Sequence, residues 1–182
     1  MINRIKLAEY FNELGFKVGA EVGVAYGYYS EVLCQSIPGV KLYCVDSWKG
    51  YVGYDTRYEK YEEMFVQAQK VLSKYGCEFI RKPSMDAVKD FEDGSLDFVY
   101  IDANHDYEHA LEDIREWTKK VRIGGIVSGH DYYQSKRGNV KVKEAVNKYI
   151  AETGYKLELT DWRRHLEKRD NQQPSWYFVK DK

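Results

Sequence analysis

Charge of one sign is what this chain lacks first. Its 28 Lys and Arg stand against 29 Asp and Glu, for a net charge of -1. A protein that holds nucleic acid by bulk charge is therefore excluded, and nucleic acid is not an expected partner. Cysteine is scarce too: Cys34, Cys44 and Cys77 are odd in number, widely spaced and form no CxxC pair. That argues against a zinc site or a thioredoxin-like motif and leaves three buried, reduced thiols as the reading. No apolar run approaches the ~20 residues of a membrane span. The first residues, MINRIKLAEYFNELGF, are amphipathic and carry acids, unlike a secretory signal. A cytoplasmic protein with no membrane partner is expected.

Aromatics, by contrast, are abundant, with 17 Tyr and four Trp among 182 residues. Such side chains make amphipathic surfaces, suited to a ligand cleft or a subunit contact, so a homodimer is kept open. The length suits one domain with a sizeable core. No internal repeat, low-complexity tract or linker divides it.

Apolar periodicity gives the elements. A helix is expected over 2–14, closed by Gly15, and a buried strand over Val18–Val24. Helix resumes from Tyr29 to Ser36 and breaks at Pro38-Gly39. Strand Val40–Val45 ends at Asp46, and an aromatic, Gly-rich loop spans Trp48–Tyr54. A long helix follows over 57–74, then strand Cys77–Ile80, a short helix Pro83–Phe91 and the strongly apolar strand Leu96–Ile101. Helix Tyr107–Val121 leads through Gly124-Gly125 to a fifth strand at roughly 125–129. Helix 139–152 ends at Gly154, and Tyr155–Leu159 and Trp176–Val179 read as a closing antiparallel pair. Strict alternation of strand and helix implies an α/β fold, a mostly parallel sheet with helices on both faces.

In such sheets ligands bind beyond the carboxyl ends of the strands, where the strand order reverses. The first such end reads Glu21-Val22-Gly23-Val24-Ala25-Tyr26-Gly27-Tyr28-Tyr29-Ser30. Small residues at 23, 25 and 27 allow backbone to approach a ligand, and the next helix offers free N–H groups. A dinucleotide turn would read GxGxxG; the spacing here is ExGxAxG, which disfavours a nicotinamide oxidoreductase. Asp46, about twenty residues on, is a carboxylate placed to accept from a ribose diol, although a turn aspartate has the same appearance. Ser84 and Met85 follow the third strand, where an adenine ring would pack; Ser84 serves equally as a helix cap. The fourth and fifth strands end in Asp102-Ala103-Asn104-His105-Asp106-Tyr107 and Gly129-His130-Asp131-Tyr132-Tyr133. Together they bring Asp102, Asn104, His105, His130 and Asp131 to one edge. These groups can hold a divalent ion, supply a general base, or simply cap strand ends. His109 and the run Arg163-Arg164-His165 read as surface residues.

EVGVAYGYYS, VDSW, FVYIDANHDYEHALEDI and IGGIVSGHDYY resemble, taken together, the motifs of the class I S-adenosylmethionine-dependent methyltransferases. The last two are similar to those of the small-molecule O-methyltransferases of the macrocin and mycinamicin type. The resemblance spans about residues 18–133. It implies a Rossmann-like methyltransferase fold with a seven-stranded sheet and an antiparallel C-terminal strand. Residues 1–182 would form one domain: N-terminal helix 1–16, cofactor-binding core 17–133, and C-terminal helix and strand pair 134–182. It implies S-adenosylmethionine as cofactor, held by Glu21, Gly23, Ala25, Gly27, Tyr29, Ser30, Asp46, Ser47, Trp48, Ser84, Met85 and Asp102. It implies His105 as base beside Asp102, and magnesium at Asp102, His130 and Asp131. Two departures stand out: Asn104 replaces a common Asp, and His130 replaces a carboxylate at a position for magnesium, which prefers oxygen ligands. The implied activity is O-methylation of a small hydroxylated metabolite, a sugar or a phenol. A nitrogen, protein or nucleic-acid acceptor, or a lapsed cofactor-binding module, is the alternative. The Tyr-rich segments at 26–29, 51–61 and 132–133 offer an aromatic wall for the acceptor, or else core and dimer packing.

Overall fold

The computed structural model describes residues 3–49, 58–135, 138–161 and 173–182. Helix α1, Arg4–Glu13, starts where the Asn3 side chain accepts from the Lys6 N–H at 3.0 Å. Its buried side chains Leu7, Ala8 and Phe11 recur at helical spacing. Strand β1, Val18–Val22, is followed by helix α2, Tyr28–Ser36, and strand β2, Lys41–Asp46. Helix α3, Tyr58–Leu72, leads to strand β3, Glu78–Arg81, and to the single-turn helix α4, Ser84–Ala87. Strand β4, Leu96–Ile101, helix α5, Tyr107–Lys120, and strand β5, Val121–Gly129, come next. Helix α6, Val142–Thr153, and strands β6, Glu158–Leu159, and β7, Trp176–Val179, complete the described elements.

The seven strands lie in the order β3-β2-β1-β4-β5-β7-β6. The first five are parallel, and β7 runs antiparallel to both β5 and β6. From β1 the chain builds outward to β2 and β3, then returns to place β4 on the other side. The strand order thus reverses between β1 and β4, opening a crevice at their carboxyl ends. This is the Rossmann-like methyltransferase fold, with helices on both faces.

Alternating side chains feed two separate cores. Ala20, Val22, Val99 and Ile101 face the layer of α4, α5 and α6, with Trp117 and Tyr149. Phe98 and Tyr100 face the layer of α1, α2 and α3, with Phe11, Leu33 and Leu72. Gly19 is required on that second face: a Cβ there would stand 2.2 Å from the Phe98 ring, which stacks on Phe11 at 4.6 Å.

Several boundaries differ from the sequence expectation, four of them for a clear local reason. β1 stops at Val22 because Gly23, at φ +93°, turns the chain out of the sheet. β5 begins at Val121 rather than 125, since the glycine pair lies inside the strand as an irregularity: Leu96 pairs Val121, but Phe98 pairs Ile126. α6 starts at Val142 rather than 139, because the Lys141 N–H is drawn to the His105 carbonyl at 2.7 Å. β6 shrinks to two residues, with Tyr155 turned inward to stack on Phe178 at 4.7 Å. The loop residues 50–57 and the basic run at 163–165 lie outside the described residues. Among the described residues, no helix is long and apolar enough to cross a membrane.

Candidate active site

The carboxyl ends of β1, β2 and β5 share a departure from ordinary backbone geometry. Ala25, Trp48 and Asp131 are the non-glycine residues with positive φ among those described, at +49°, +43° and +58°. Each such residue costs on the order of 1–3 kcal/mol and persists only where its surroundings impose it, which happens most often at functional sites. All three lie at the strand ends that flank the crevice.

The first turn is held by Asp46. Its Oδ2 accepts from the N–H groups of Val24 at 2.9 Å and Ala25 at 3.0 Å, and its Oδ1 from that of Trp48 at 2.7 Å. The carboxylate placed for a diol is thus first a clamp between two loops, with part of its acceptor capacity left. Trp48 locks the same pair from the other side. Its indole N–H donates to the Ala25 carbonyl at 2.9 Å, while its buried ring packs on Phe65 and Phe79. Gly23 lies so close to the end of β4 that a Cβ would stand 2.1 Å from the Asp102 carbonyl oxygen. The turns after β1 and β4 therefore meet backbone to backbone. Gly27, at φ +81°, starts α2, and Ser47 bonds locally to the Lys49 N–H at 3.3 Å.

Several side chains expected at the cofactor face inward instead. Tyr29 is buried, donates to the Arg4 carbonyl at 2.9 Å and packs on Tyr100 at 4.2 Å. Only its backbone remains at the turn. Ser30 is wholly buried and donates a short hydrogen bond to Glu21. Burial raises the Glu21 pKa to about 8, with the Ser30 hydroxyl and Arg4 opposing the rise. Glu21 is therefore a neutral acid at pH 7, not an exposed anion. The Ser84 hydroxyl bonds with Asp113 and accepts from the Trp117 indole at 2.8 Å, tying α4 to α5. Met85 is half-buried against the α4–α6 core.

On the other side of the crevice, β4 and β5 deliver the acidic and imidazole groups to one place. His105 Nε2 lies 3.0 Å from Asp131 Oδ2 and 3.6 Å from Asp102 Oδ1. Burial pulls the His105 pKa down, but the two carboxylates more than offset it and raise it to about 11. The two carboxylates thus favour the protonated imidazole. Burial raises the Asp131 pKa, but the two imidazoles overcome it and hold Asp131 far below the usual carboxylate range. His130 sits behind them, buried, with Nδ1 3.3 Å from Asp131 Oδ1 and 3.7 Å from Asp102 Oδ2. It lines a cavity of about 10 Å³ together with Asp102, His105, Ile114, Val142 and Trp176. That is about the space of one water.

Among the described residues, the ligand atoms of Asp102, His105 and Asp131 lie within 4.8 Å of one another. This set differs from the expected Asp102, His130 and Asp131 by exchanging one histidine for another. Asn104 accepts from the Asp106 N–H at 3.1 Å, and Asp106 caps α5 through the His109 N–H at 2.9 Å. Tyr132 donates to Asn147 at 2.7 Å. Tyr26 and Tyr28 stack at 5.8 Å beside the first turn, with Tyr28 exposed. Sequence reading missed Arg4, from α1, which reaches the crevice with Nη1 3.8 Å from Asp102 Oδ2.

A family model described as a methyltransferase domain matches residues 20–132, which include every one of these turns. The chain belongs to this family of methyltransferases. Among solved structures, the methyltransferase is similar to an O-methyltransferase from Bacillus cereus in complex with SAH, at 14% identity and TM-score 0.72, covering 97% of this chain and 80% of that one. It is similar to the O-methyltransferase TomG from Streptomyces achromogenes, involved in tomaymycin synthesis and in complex with SAM, at 15% identity and TM-score 0.69, covering 97% and 79%. A structure from Clostridium thermocellum, provisionally assigned as an rRNA methylase, matches at 12% identity and TM-score 0.69 over 100% and 97% of the two chains. At such identities the likeness shows the fold alone, and the fold serves acceptors of different kinds. Among curated proteins, y4gI of Sinorhizobium fredii, an uncharacterized protein, is 27% identical over 117 residues. That match spans 61% of this chain but only 12% of y4gI.

Proposed function

We propose that this methyltransferase moves a methyl group from S-adenosylmethionine to the hydroxyl of a small molecule, a sugar or a phenol. The observation that carries the reading is the convergence of three strained strand ends on the β1/β4 crevice, inside the segment that the family model matches. The O-methyltransferases of similar fold that hold SAM or SAH support it.

S-adenosylmethionine supplies an already electrophilic methyl on a sulfonium sulfur, so the chain's main task is alignment. Gly23, Ala25 and Gly27 present bare backbone to the cofactor, and Asp46 holds that turn while keeping acceptor capacity toward the ribose. The Trp48 backbone and Ser47 border the ribose, and Ser84 and Met85 border the adenine. Tyr29, Ser30 and Glu21 act from beneath, by fixing the turn and α2. His105, held as an imidazolium, donates a hydrogen bond that orients the acceptor hydroxyl. The proton released as the methyl is transferred leaves to solvent at the open mouth of the crevice. The donor set does not fit magnesium. It mixes an imidazole with two carboxylates, whereas magnesium prefers an all-oxygen set.

The cytoplasm is the compartment proposed, in keeping with three free thiols. One domain and a homodimeric assembly complete the reading, the exposed Ile123 and Val179 being apolar groups that a second copy would cover. Calorimetric titration with S-adenosylmethionine and S-adenosylhomocysteine tests the cofactor. Binding that weakens at least tenfold in Asp46→Ala is expected. No binding by the folded wild type would overturn the proposal. Transfer of labelled methyl to a panel of sugars and phenols tests the acceptor; labelling of amines or RNA alone would overturn the O-methylation reading.

A further inference from the structure

Helix α1 runs counter to β4: Phe11 stacks on Phe98 near the start of that strand, and Arg4 reaches Asp102 just beyond its end. Its first residues therefore lie over the carboxyl edge of the sheet, beside the crevice. Arg4 is the first residue of the helix, and its side chain is only 11% exposed. The guanidinium lies 4.7 Å above the centre of the Tyr29 ring, which is fixed in turn by its bond to the Arg4 carbonyl and its contact with Tyr100. A long cationic side chain is thus held in one place by ring stacking, where a surface arginine would sweep through solvent. Nη1 stands 3.8 Å from Asp102 Oδ2, beyond hydrogen-bond distance but close enough for charge attraction.

Arg4 faces Asp102 from α1, while His105 at 3.6 Å and His130 at 3.7 Å face Asp102 from the other side. Arg4 and Asp102 are opposite in sign and separated by about the spacing of the ammonium and carboxylate of an α-amino acid. The methionine end of the cofactor is such a zwitterion. Resting on the proposed cofactor, we infer that Arg4 binds the α-carboxylate of S-adenosylmethionine while Asp102 takes its α-ammonium. The planar guanidinium suits a carboxylate through paired N–H donors. The N-terminal helix is then part of the cofactor site and not merely a cover on the sheet.

The test compares two ligands that differ in the amino-acid end. Wild type, Arg4→Gln and Arg4→Lys are titrated with S-adenosylhomocysteine and with 5′-methylthioadenosine, which lacks that end. Arg4→Gln is expected to weaken S-adenosylhomocysteine binding about 10- to 100-fold, the loss of a charge-assisted pair, and to leave 5′-methylthioadenosine within twofold. Arg4→Lys should recover part of the loss. A second measurement needs no variant: the wild type should bind the S-adenosylhomocysteine analogue lacking only the α-carboxyl group at least tenfold more weakly than the parent. Unchanged S-adenosylhomocysteine affinity in Arg4→Gln would overturn the inference, as would an equal loss for both ligands, which marks a structural role. Wild type that binds neither ligand would overturn the cofactor reading itself, and this inference with it.

Discussion

Glu21 should make the stability of this protein fall as pH rises through neutrality. The side chain is 2% exposed on β1, between Cys44 and Tyr100, and receives a hydrogen bond from Ser30. Its folded pKa is about 8, against 4.5 for an ordinary glutamate. Between those values the folded protein keeps a proton that the unfolded chain has released. Unfolding free energy therefore decreases with pH, by about 1.4 kcal/mol per pH unit from this group, to a total on the order of 5 kcal/mol above pH 8. Glu21→Gln removes the titration and keeps a neutral side chain with one donor and one acceptor for Ser30. Urea unfolding at pH 5.5 and 7.5, for both proteins, isolates the effect. The stability of the variant relative to wild type should grow by about 2.7 kcal/mol between the two pH values. Parallel pH profiles, within about 0.5 kcal/mol, would refute the reasoning and show that Glu21 is ionised in the fold. The outcome bears on the site as well, since a neutral Glu21 adds no charge beside Arg4 and Asp102.

Three further outcomes follow from the same geometry. Gly23→Ala forces a Cβ to within 2.1 Å of the Asp102 carbonyl at a φ of +93°; a loss of about 3 kcal/mol or more is expected by chemical denaturation, with cofactor binding abolished in whatever remains folded. Asp46→Ala strands the N–H groups of Val24, Ala25 and Trp48, costing about 1–3 kcal/mol in urea, whereas Asp46→Asn, which keeps one acceptor oxygen, should lose less. His105→Ala should cut methyl transfer at least 100-fold while S-adenosylhomocysteine affinity stays within about threefold by calorimetry; an equal fall in both would remove His105 from the reacting side.

The order of elements was legible because each segment carries one clear period, and the parallel sheet follows from alternating strands and helices. The crevice was legible because chain topology alone locates it. What each polar side chain does there was not, since that depends on partners distant in sequence. Ser84 reads as a helix cap or an adenine neighbour, yet Asp113 and Trp117, 29 and 33 residues away, engage its hydroxyl. Tyr29 sits inside a cofactor-like motif, but helical geometry turns its ring toward α1. His105 reads as a base in the sequence, but β5 brings Asp131 to 3.0 Å, a carboxylate that favours the charged ring. Arg4 is the converse case. In the sequence it is a basic residue near the start of an amphipathic helix, a pattern usually solvated. Only the antiparallel packing of α1 on the sheet carries it to Asp102. The separation has a physical cause. Apolar periodicity is local and repeats, so a single sequence displays it. A buried polar group is defined by what satisfies it, and in this fold those partners come from different elements. At the mouth of the crevice stand the Asp46 clamp, the bare turn at 23–27, the Arg4–Asp102 pair and the His105 cluster. Those four features are the ones that the proposed cofactor, with its diol and zwitterionic end, would use.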